Sequence, residues 1–440
     1  MKSSASKKSN VSTSNGQATS SPTLTENKED AIPKLDKGKM KAHPTELQDD
    51  DEKNGSMTLP KTFTVVAGSY EKLLYGLEGS LSYEEGEPST LKGTLKPLFI
   101  FPAHVSGVKS VAGSPSGGKW LASGSTDEII KVWDLRRRKE IGGLMQHQGS
   151  ITHLSFPTRS HLVSASEDGT ICIFRARDWV LLRTLKGHKG RINSVAIHPS
   201  GKVGLSVGKD NALRMWDLMR GKGSASTKLG KEGELVRWSL KGDCFVIQSG
   251  KSLDIYTTDM ALQRTITHSS RVHDLCFCKR ADDGDKEVLL VAGEDKKVVI
   301  YDMSGGDETT LPVVGSLVGH QNRVKAVDII TVALPSFTPP TPVSSTTLAC
   351  TISSDGWIRV FDLAPILSSK ADNVIELQAI ATYDTKGSRL TCLTVADGEL
   401  VNNNKSKNGK RKRADEDGDP EDTGDAWVGF DEDVSPKEDD

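Results

Sequence analysis

Residues Lys119 to Leu135 read KWLASGSTDEIIKVWDL. A run of small residues leads to Asp127, and a β-branched, alternating segment then ends in Trp133-Asp134. The alternation favours a half-buried strand, and the polar Thr-Asp-Glu piece before it supplies turn chemistry. Asp127 and Trp133 are either site residues or scaffold, and the rest of the chain decides which. The stretch recurs as SASEDGTICIFRA (164–176), SVGKDNALRMWDL (206–218), VAGEDKKVVIYDM (291–303) and TISSDGWIRVFDL (351–363). Each copy sets an Asp six residues before an aromatic: Asp127 and Trp133, Asp168 and Phe174, Asp210 and Trp216, Asp295 and Tyr301, Asp355 and Phe361. A histidine precedes each unit: His104, His147, His188, His268 and His320. Successive aromatics lie 41, 42, 85 and 60 residues apart, and Tyr256 in SGKSLDIYTTD divides the 85 into 40 and 45.

A period of roughly 40–45 residues, with short strands and a His, Asp and Trp-Asp signature, resembles the WD-repeat β-propellers. The likeness covers most of 61–400 and implies an all-β fold. In WD repeats the His, a Ser or Thr, the Asp and the Trp form a buried hydrogen-bonded set. Each such bond to a charged group is worth on the order of 1.5–3 kcal/mol. Catalytic residues would occur once rather than at fixed spacing along the chain, so all fifteen residues are read as scaffold. Six units end at an aromatic. FTVVAGSYEKLLYGLEG (63–79) and TLKPLFIFPAH (94–104) make a further blade without its innermost strand. The lone apolar strand at 388–396, within SRLTCLTVADG, completes it, giving a seven-bladed ring whose closure removes open strand edges. The unit ending at Tyr256 has neither turn Asp nor leading His and is expected to be the least rigid blade. The Pro-rich 333–346 and the shorter 280–287 read as loops on the face opposite the His and Asp positions.

The first blade is more specific than a generic repeat. FTVVAGSYEKLLYGLEG, LKPLFIFPAHVSGVKSVAGS, the weak unit RWSLKGDCFVIQSGKSLDIY and the closing SRLTCL resemble the p21-activated-kinase-interacting protein family, whose fungal members are the maintenance-of-killer WD-repeat proteins. The resemblance implies a nucleolar assembly factor for the large ribosomal subunit that docks pre-ribosomal proteins. It also implies a second role, negative regulation of a p21-activated kinase.

Composition divides the 440 residues into three zones. Residues 1–60 hold nine lysines and nine acids, carry few apolar clusters, and read as a disordered arm. Residues 401–440 read as a disordered tail in which a basic run, KSKNGKRKR, precedes an acidic block; its net charge is -6. The middle, 61–400, is the propeller. No apolar run is long enough to span a membrane, and the start of the chain lacks the apolar core of a secretory signal. The six cysteines sit in strand-like segments without zinc spacing, and read as reduced thiols of an intracellular protein.

Function is therefore sought outside the repeated positions. Lys410, Arg411, Lys412 and Arg413 have the composition of a nuclear-import signal, which places the protein in the nucleus and nucleolus and adds an import receptor as partner. Residues 183–231 hold eleven basic residues against Asp210 and Asp217 alone. Lys186, Lys189, Arg191, Lys202, Lys209 and Arg214 thus form a candidate basic surface for rRNA phosphates or an acidic protein. Trp427 and Phe430 in the acidic tail suggest a short docking motif. Trp133-Asp134-Leu135-Arg136 matches the WDxR pattern of cullin ubiquitin-ligase adaptors, a third reading. His43, His153, His161, His198 and His273 show no ligand spacing, and no phosphate-binding Gly loop occurs. The sequence predicts a non-enzymatic, monomeric scaffold without cofactor or metal.

Overall fold

The computed structural model describes residues 59–398, apart from 85–86, 281–285, 306–309, 336–344 and 369–373. The disordered arm and tail inferred from composition, and most of the Pro-rich insertion, lie outside these residues. The described residues form seven sheets of four antiparallel strands, the sixth of which gains a fifth strand. The innermost strands, from the second blade onward, are Val108–Gly113, Ile151–Thr158, Ile192–Ile197, Leu235–Trp238, Val272–Lys279 and Val324–Ala333. Leu390–Asp397 is the innermost strand of the first blade, pairing antiparallel with Thr62–Ser69. Phe63 faces Asp397 and Val66 faces Thr394, while a bulge after Gly68 brings Ser69 opposite Leu390.

The core is not one central mass. Seven apolar clusters each join two neighbouring blades. The cluster at the closure unites Phe63, Val65 and Leu77 of the first blade with Leu348, Ile352 and Val360 of the seventh. Strand alternation produces this layout: successive side chains point to opposite faces of a blade, and both faces meet a neighbour. Phe63, Phe174, Phe245 and Phe361 are fully buried. Burying a side chain of that size stabilises the fold by about 1.5–3 kcal/mol.

Two features depart from a plain four-stranded repeat. The third strand of the seventh blade, Trp357–Asp362, leads into a short helix, Ala364–Leu367. The chain then crosses to the sixth blade, where Ile375–Leu377 pairs in parallel with the outer strand Val313–Leu317. It returns as Ala381–Asp384 to finish the seventh. This fifth strand covers an edge that would otherwise be open. Its three residues are too short to show periodicity in the sequence. Gly315 allows the crossing helix to approach, because a Cβ there would overlap Ile366 Cδ1 and lie 2.9 Å from the Ile375 carbonyl oxygen.

The second departure is the blade ending at Tyr256, which keeps all four strands. It replaces the missing set with an aromatic stack, Trp238, Phe245 and Tyr256, whose last two rings are parallel with centroids 5.4 Å apart. Gln248 is fully buried, and its amide donates to the Gly250 carbonyl at 2.9 Å and the Val272 carbonyl at 3.2 Å. It therefore ties this blade to the sixth.

Gly315→Ala is expected to cost about 1–3 kcal/mol through overpacking, read as a lower urea midpoint. Adding Ile366→Ala should recover part of that loss. An unchanged midpoint for the single variant would show that the crossing helix is not held against the blade.

Candidate functional site

The histidines sit in loops entering the innermost strands, and the paired aspartates sit in the hairpins between the second and third strands. Both therefore lie on one face, here the upper face. In the second blade His104 Nδ1 is 3.0 Å from Asp127 Oδ2, and its Nε2 is 2.8 Å from Ser123 Oγ. Trp133 Nε1 donates to the same hydroxyl at 2.9 Å. The fourth blade repeats this through His188, Asp210, Ser206 and Trp216. In the third, His147 reaches Asp168 and Ser164, and Phe174 ends the set because it has no N–H. The aspartates also accept backbone N–H groups, from Val105, Gln148 and Lys189. Each set thus closes a loop onto its blade.

The sixth and seventh blades differ. Val291 stands where the others have a hydroxyl, so His268 turns Nδ1 to the Tyr301 hydroxyl at 2.8 Å. Its Nε2 lies 3.3 Å from Asp295 without hydrogen-bond alignment. In the seventh, His320 Nε2 meets Thr351 Oγ1 at 2.7 Å, but Arg359 comes between His320 and Asp355. The guanidinium donates to His320 Nδ1 at 2.7 Å and lies 3.8 Å from Asp355. The expected His320–Asp355 bond is thus replaced. Arg359 was not singled out in the sequence, where it occupies an ordinary strand position. Its burial beside His320 is a tertiary event.

The six basic candidates do not share one surface. Lys186, Lys189, Arg191 and Lys209 are exposed at upper-face ends and loops, whereas Lys202 is exposed in the hairpin after Ile192–Ile197, on the lower face. Arg214 lies within Ala212–Asp217, its Nε buried and unpartnered. Arg191 also pairs with Glu232 at 3.1 Å and lies 3.9 Å from Glu167. Acids just outside 183–231 thus offset the charge that the segment alone suggests. Lys410 to Arg413, Trp427 and Phe430 lie outside the described residues. Arg136 of the WDxR match is exposed and donates to the Gly117 carbonyl at 3.0 Å.

A central channel of about 690 Å³ is lined by the innermost strands. Side chains link those strands around it. Gly113 N–H donates to Thr394, Leu154 N–H to Ser110, Val327 N–H to Asp274, and Val395 N–H to Asp328. Arg237 bridges Ser194 and Asp274, joining the fourth, fifth and sixth blades. Between the third and fourth, Thr152 Oγ1 is buried without a partner. Burial raises the Asp274 carboxyl against the pull of Arg237, and raises that of Asp328 to about 6. These acids were missed in the sequence. Their signal is an acid within a mostly apolar strand, VHDLCFC and VKAVDII.

Several of the described thiols and imidazoles are held uncharged by burial. Burial pushes the thiols of Cys244, Cys278 and Cys392 up, to about 11, 12 and 12. A thiol held that high carries almost no thiolate at neutral pH. Burial also lowers His153 to about 3, and lowers His273 and His320 to about 4, with Arg359 adding to the effect at His320.

Two outcomes follow. Ser123→Ala strands both His104 Nε2 and Trp133 Nε1, whereas Ser164→Ala strands only His147 Nε2. The first should therefore cost more stability, by about 1–3 kcal/mol in urea titrations. Equal losses would mean that Trp133 gains nothing from the shared hydroxyl. Histidines with folded pKa values below the unfolded value near 6.5 bind fewer protons when folded, so stability is lost as pH falls from about 6.5 toward 4. Asp328, raised to about 6, opposes this over part of the range. Unfolding free energy at pH 4.5 should be below that at pH 7, and His320→Gln should flatten the slope. A flat wild-type profile would contradict the buried neutral histidines.

The WD domain, G-beta repeat family matches residues 95–134, 138–175 and 179–217. The p21-activated protein kinase-interacting protein 1-like of Danio rerio is 34% identical over 332 residues, 75% of this chain and 80% of the relative. That of Gallus gallus is 35% identical over 332 residues, 75% of this chain and 79% of the relative. Protein MAK11 of Saccharomyces cerevisiae is 32% identical over 394 residues, spanning 80% of this chain and 87% of the relative. The matched share agrees with the extent of the propeller. The chain belongs to the WD-repeat family that contains the p21-activated protein kinase-interacting proteins and MAK11.

Proposed function

We propose that this chain is a non-enzymatic propeller scaffold that docks proteins of the assembling large ribosomal subunit in the nucleolus. The observation that carries the scaffold part is the use of the polar groups. The repeated histidines and aspartates hold loops to blades, and Asp274, Asp328 and Arg237 hold blades to one another. What remains for function is the surface of a rigid ring. The ribosomal part rests on the resemblance carried by the GSYEKLLYG opening and on kinship with MAK11. The basic run Lys410 to Arg413 supports import into the nucleus. Pre-ribosomal proteins are the expected partners, with rRNA met through charge rather than base readout.

A second reading is favoured by the names of the vertebrate relatives: binding of a p21-activated kinase. The cullin-adaptor reading has weaker support, because Arg136 is engaged with Gly117 of its own blade.

Sedimentation of the tagged full chain at native abundance separates the first two readings. The expected result is co-migration with large-subunit precursor rRNA, lost when the precursor is depleted. Replacing Lys410 to Arg413 with alanine should move the tag out of the nucleus. A peak only at monomer or small-complex size, with the tag outside the nucleus, would overturn the ribosomal reading in favour of the kinase one.

A further inference from the structure

The upper mouth of the channel carries charge that blade locking does not use. Lys109, Arg271, Arg323 and Arg389 are exposed at the upper ends of innermost strands or just before them, and Lys325 is half-buried in the channel wall. Arg271 pairs with Glu234 at 2.9 Å, and His273 Nε2 lies 3.6 Å from Glu294. Lys109, Arg323 and Lys325 have no ion pair among the described residues. These groups feel one another across the opening. Burial and then Arg323 pull the Lys325 ammonium down against Glu294, with Arg271 and Lys109 adding to the pull.

The mouth is mixed in charge: Glu71 accepts the Arg389 backbone N–H at 2.9 Å beside the cations, and Glu294 acts on Lys325. Glu167, Glu232 and Glu234 lie at the upper face of the third to fifth blades, with Arg191 among them. The seventh, first and second blades supply the cations without an ion pair among the described residues, since Arg271 of the sixth is held by Glu234. Beside them, Tyr70 and Val105 are 63% and 77% exposed. Tyr70 N–H donates to the Arg389 carbonyl at 2.9 Å, and a Cβ at Gly107 would touch the Tyr70 backbone, so the tyrosine adjoins the cationic sector.

We propose that this sector of the channel mouth, formed by Lys109, Arg323, Lys325 and Arg389 beside Tyr70 and Val105, docks an acidic segment of a partner protein anchored by an apolar side chain. The inference rests on the scaffold reading above and names the kind of partner that reading requires. Unpaired cations gathered at a concave opening are complementary to carboxylates and steer them in. A protein segment fits better than RNA. A phosphate backbone requires a continuous basic track, and here the track is broken by Glu167, Glu232, Glu234 and Glu294. RNA also gains less from an aliphatic neighbour such as Val105, whereas a partner's Leu or Phe can cover it.

The test is fluorescence anisotropy with the isolated full chain and a short labelled peptide of Asp and Glu with a central Leu. The wild type should bind it, and should ignore the Asn/Gln version of the peptide. Lys109→Glu combined with Arg323→Glu should weaken binding at least about tenfold. Arg191→Glu, on the acidic side, should change it less than about twofold. Both reversed residues are exposed, so melting should be unaffected, and the milder Arg323→Ala should weaken binding in the same direction. Equal binding of the neutral peptide, or no loss in the double variant, would overturn the proposal. So would an RNA of similar length that binds as tightly and is lost with the same substitutions. Peptide uptake only after the acids of 414–440 are replaced by Gly and Ser would identify the chain's own tail as occupant, and would also overturn it. The assay contains no ribosomal particle, so its failure would leave the sedimentation result standing, and the reverse holds.

Discussion

The ring depends on one strand pairing. Thr62–Ser69 and Leu390–Asp397 lie at opposite ends of the folded sequence, yet they form adjacent strands of a single blade. Without that pairing the first blade would lose its innermost strand. The seventh would lose the neighbour that buries Leu348, Ile352 and Val360, and two sheet edges would open to solvent. The cost of closing so long a loop grows only slowly with its length, which makes this arrangement affordable in entropy. Cooperativity then comes from the cores themselves, since every apolar cluster is shared by two blades. The Val395 N–H bond to Asp328 extends the same tie into the channel.

That constraint explains where the polar groups sit. A ring without a central core needs hydrogen bonds to fix loop to blade and blade to blade, and buried polar atoms need partners. The His and Asp sets supply the first, on the upper face. The channel side chains supply the second. Variations on the sets retain the function by other chemistry: a tyrosine hydroxyl for a missing serine at His268, and a guanidinium between His320 and Asp355. Groups held this way have little freedom to take part in a reaction. Recognition falls instead to the upper mouth, where Lys109, Arg323 and Lys325 are not occupied by the scaffold.

Much of the architecture was legible in the sequence because it is periodic. The spacing from Asp127 to Trp133 recurs in five units; Tyr256 marked a sixth, the strand at 388–396 closed a seventh, and the first-blade segment pointed to the family. What was not legible depends on contacts between units. Ile375–Leu377 is too short to carry a pattern, and its parallel pairing is dictated by the outer strand of another blade. Arg359 looks like any strand arginine until His320 is placed beside it. The basic segment 183–231 reads as one surface only while it is a line. Hairpin geometry sends Lys202 to the lower face, and Glu167 and Glu232 approach Arg191 from neighbouring blades. The channel mouth was hidden for the same reason, since its cations come from four blades and no stretch of sequence contains more than two.

The claim that the ring is one cooperative unit closed by its last strand is tested most directly by native-state hydrogen exchange. The amides of Val66 and Val395 should open with the same free energy as that of Val163 in the third blade, because all three are released only by global unfolding. Exchange at Val395 and Val66 that is easier by several kcal/mol, with Val163 still protected, would show that the closing strand frays independently and would contradict the account.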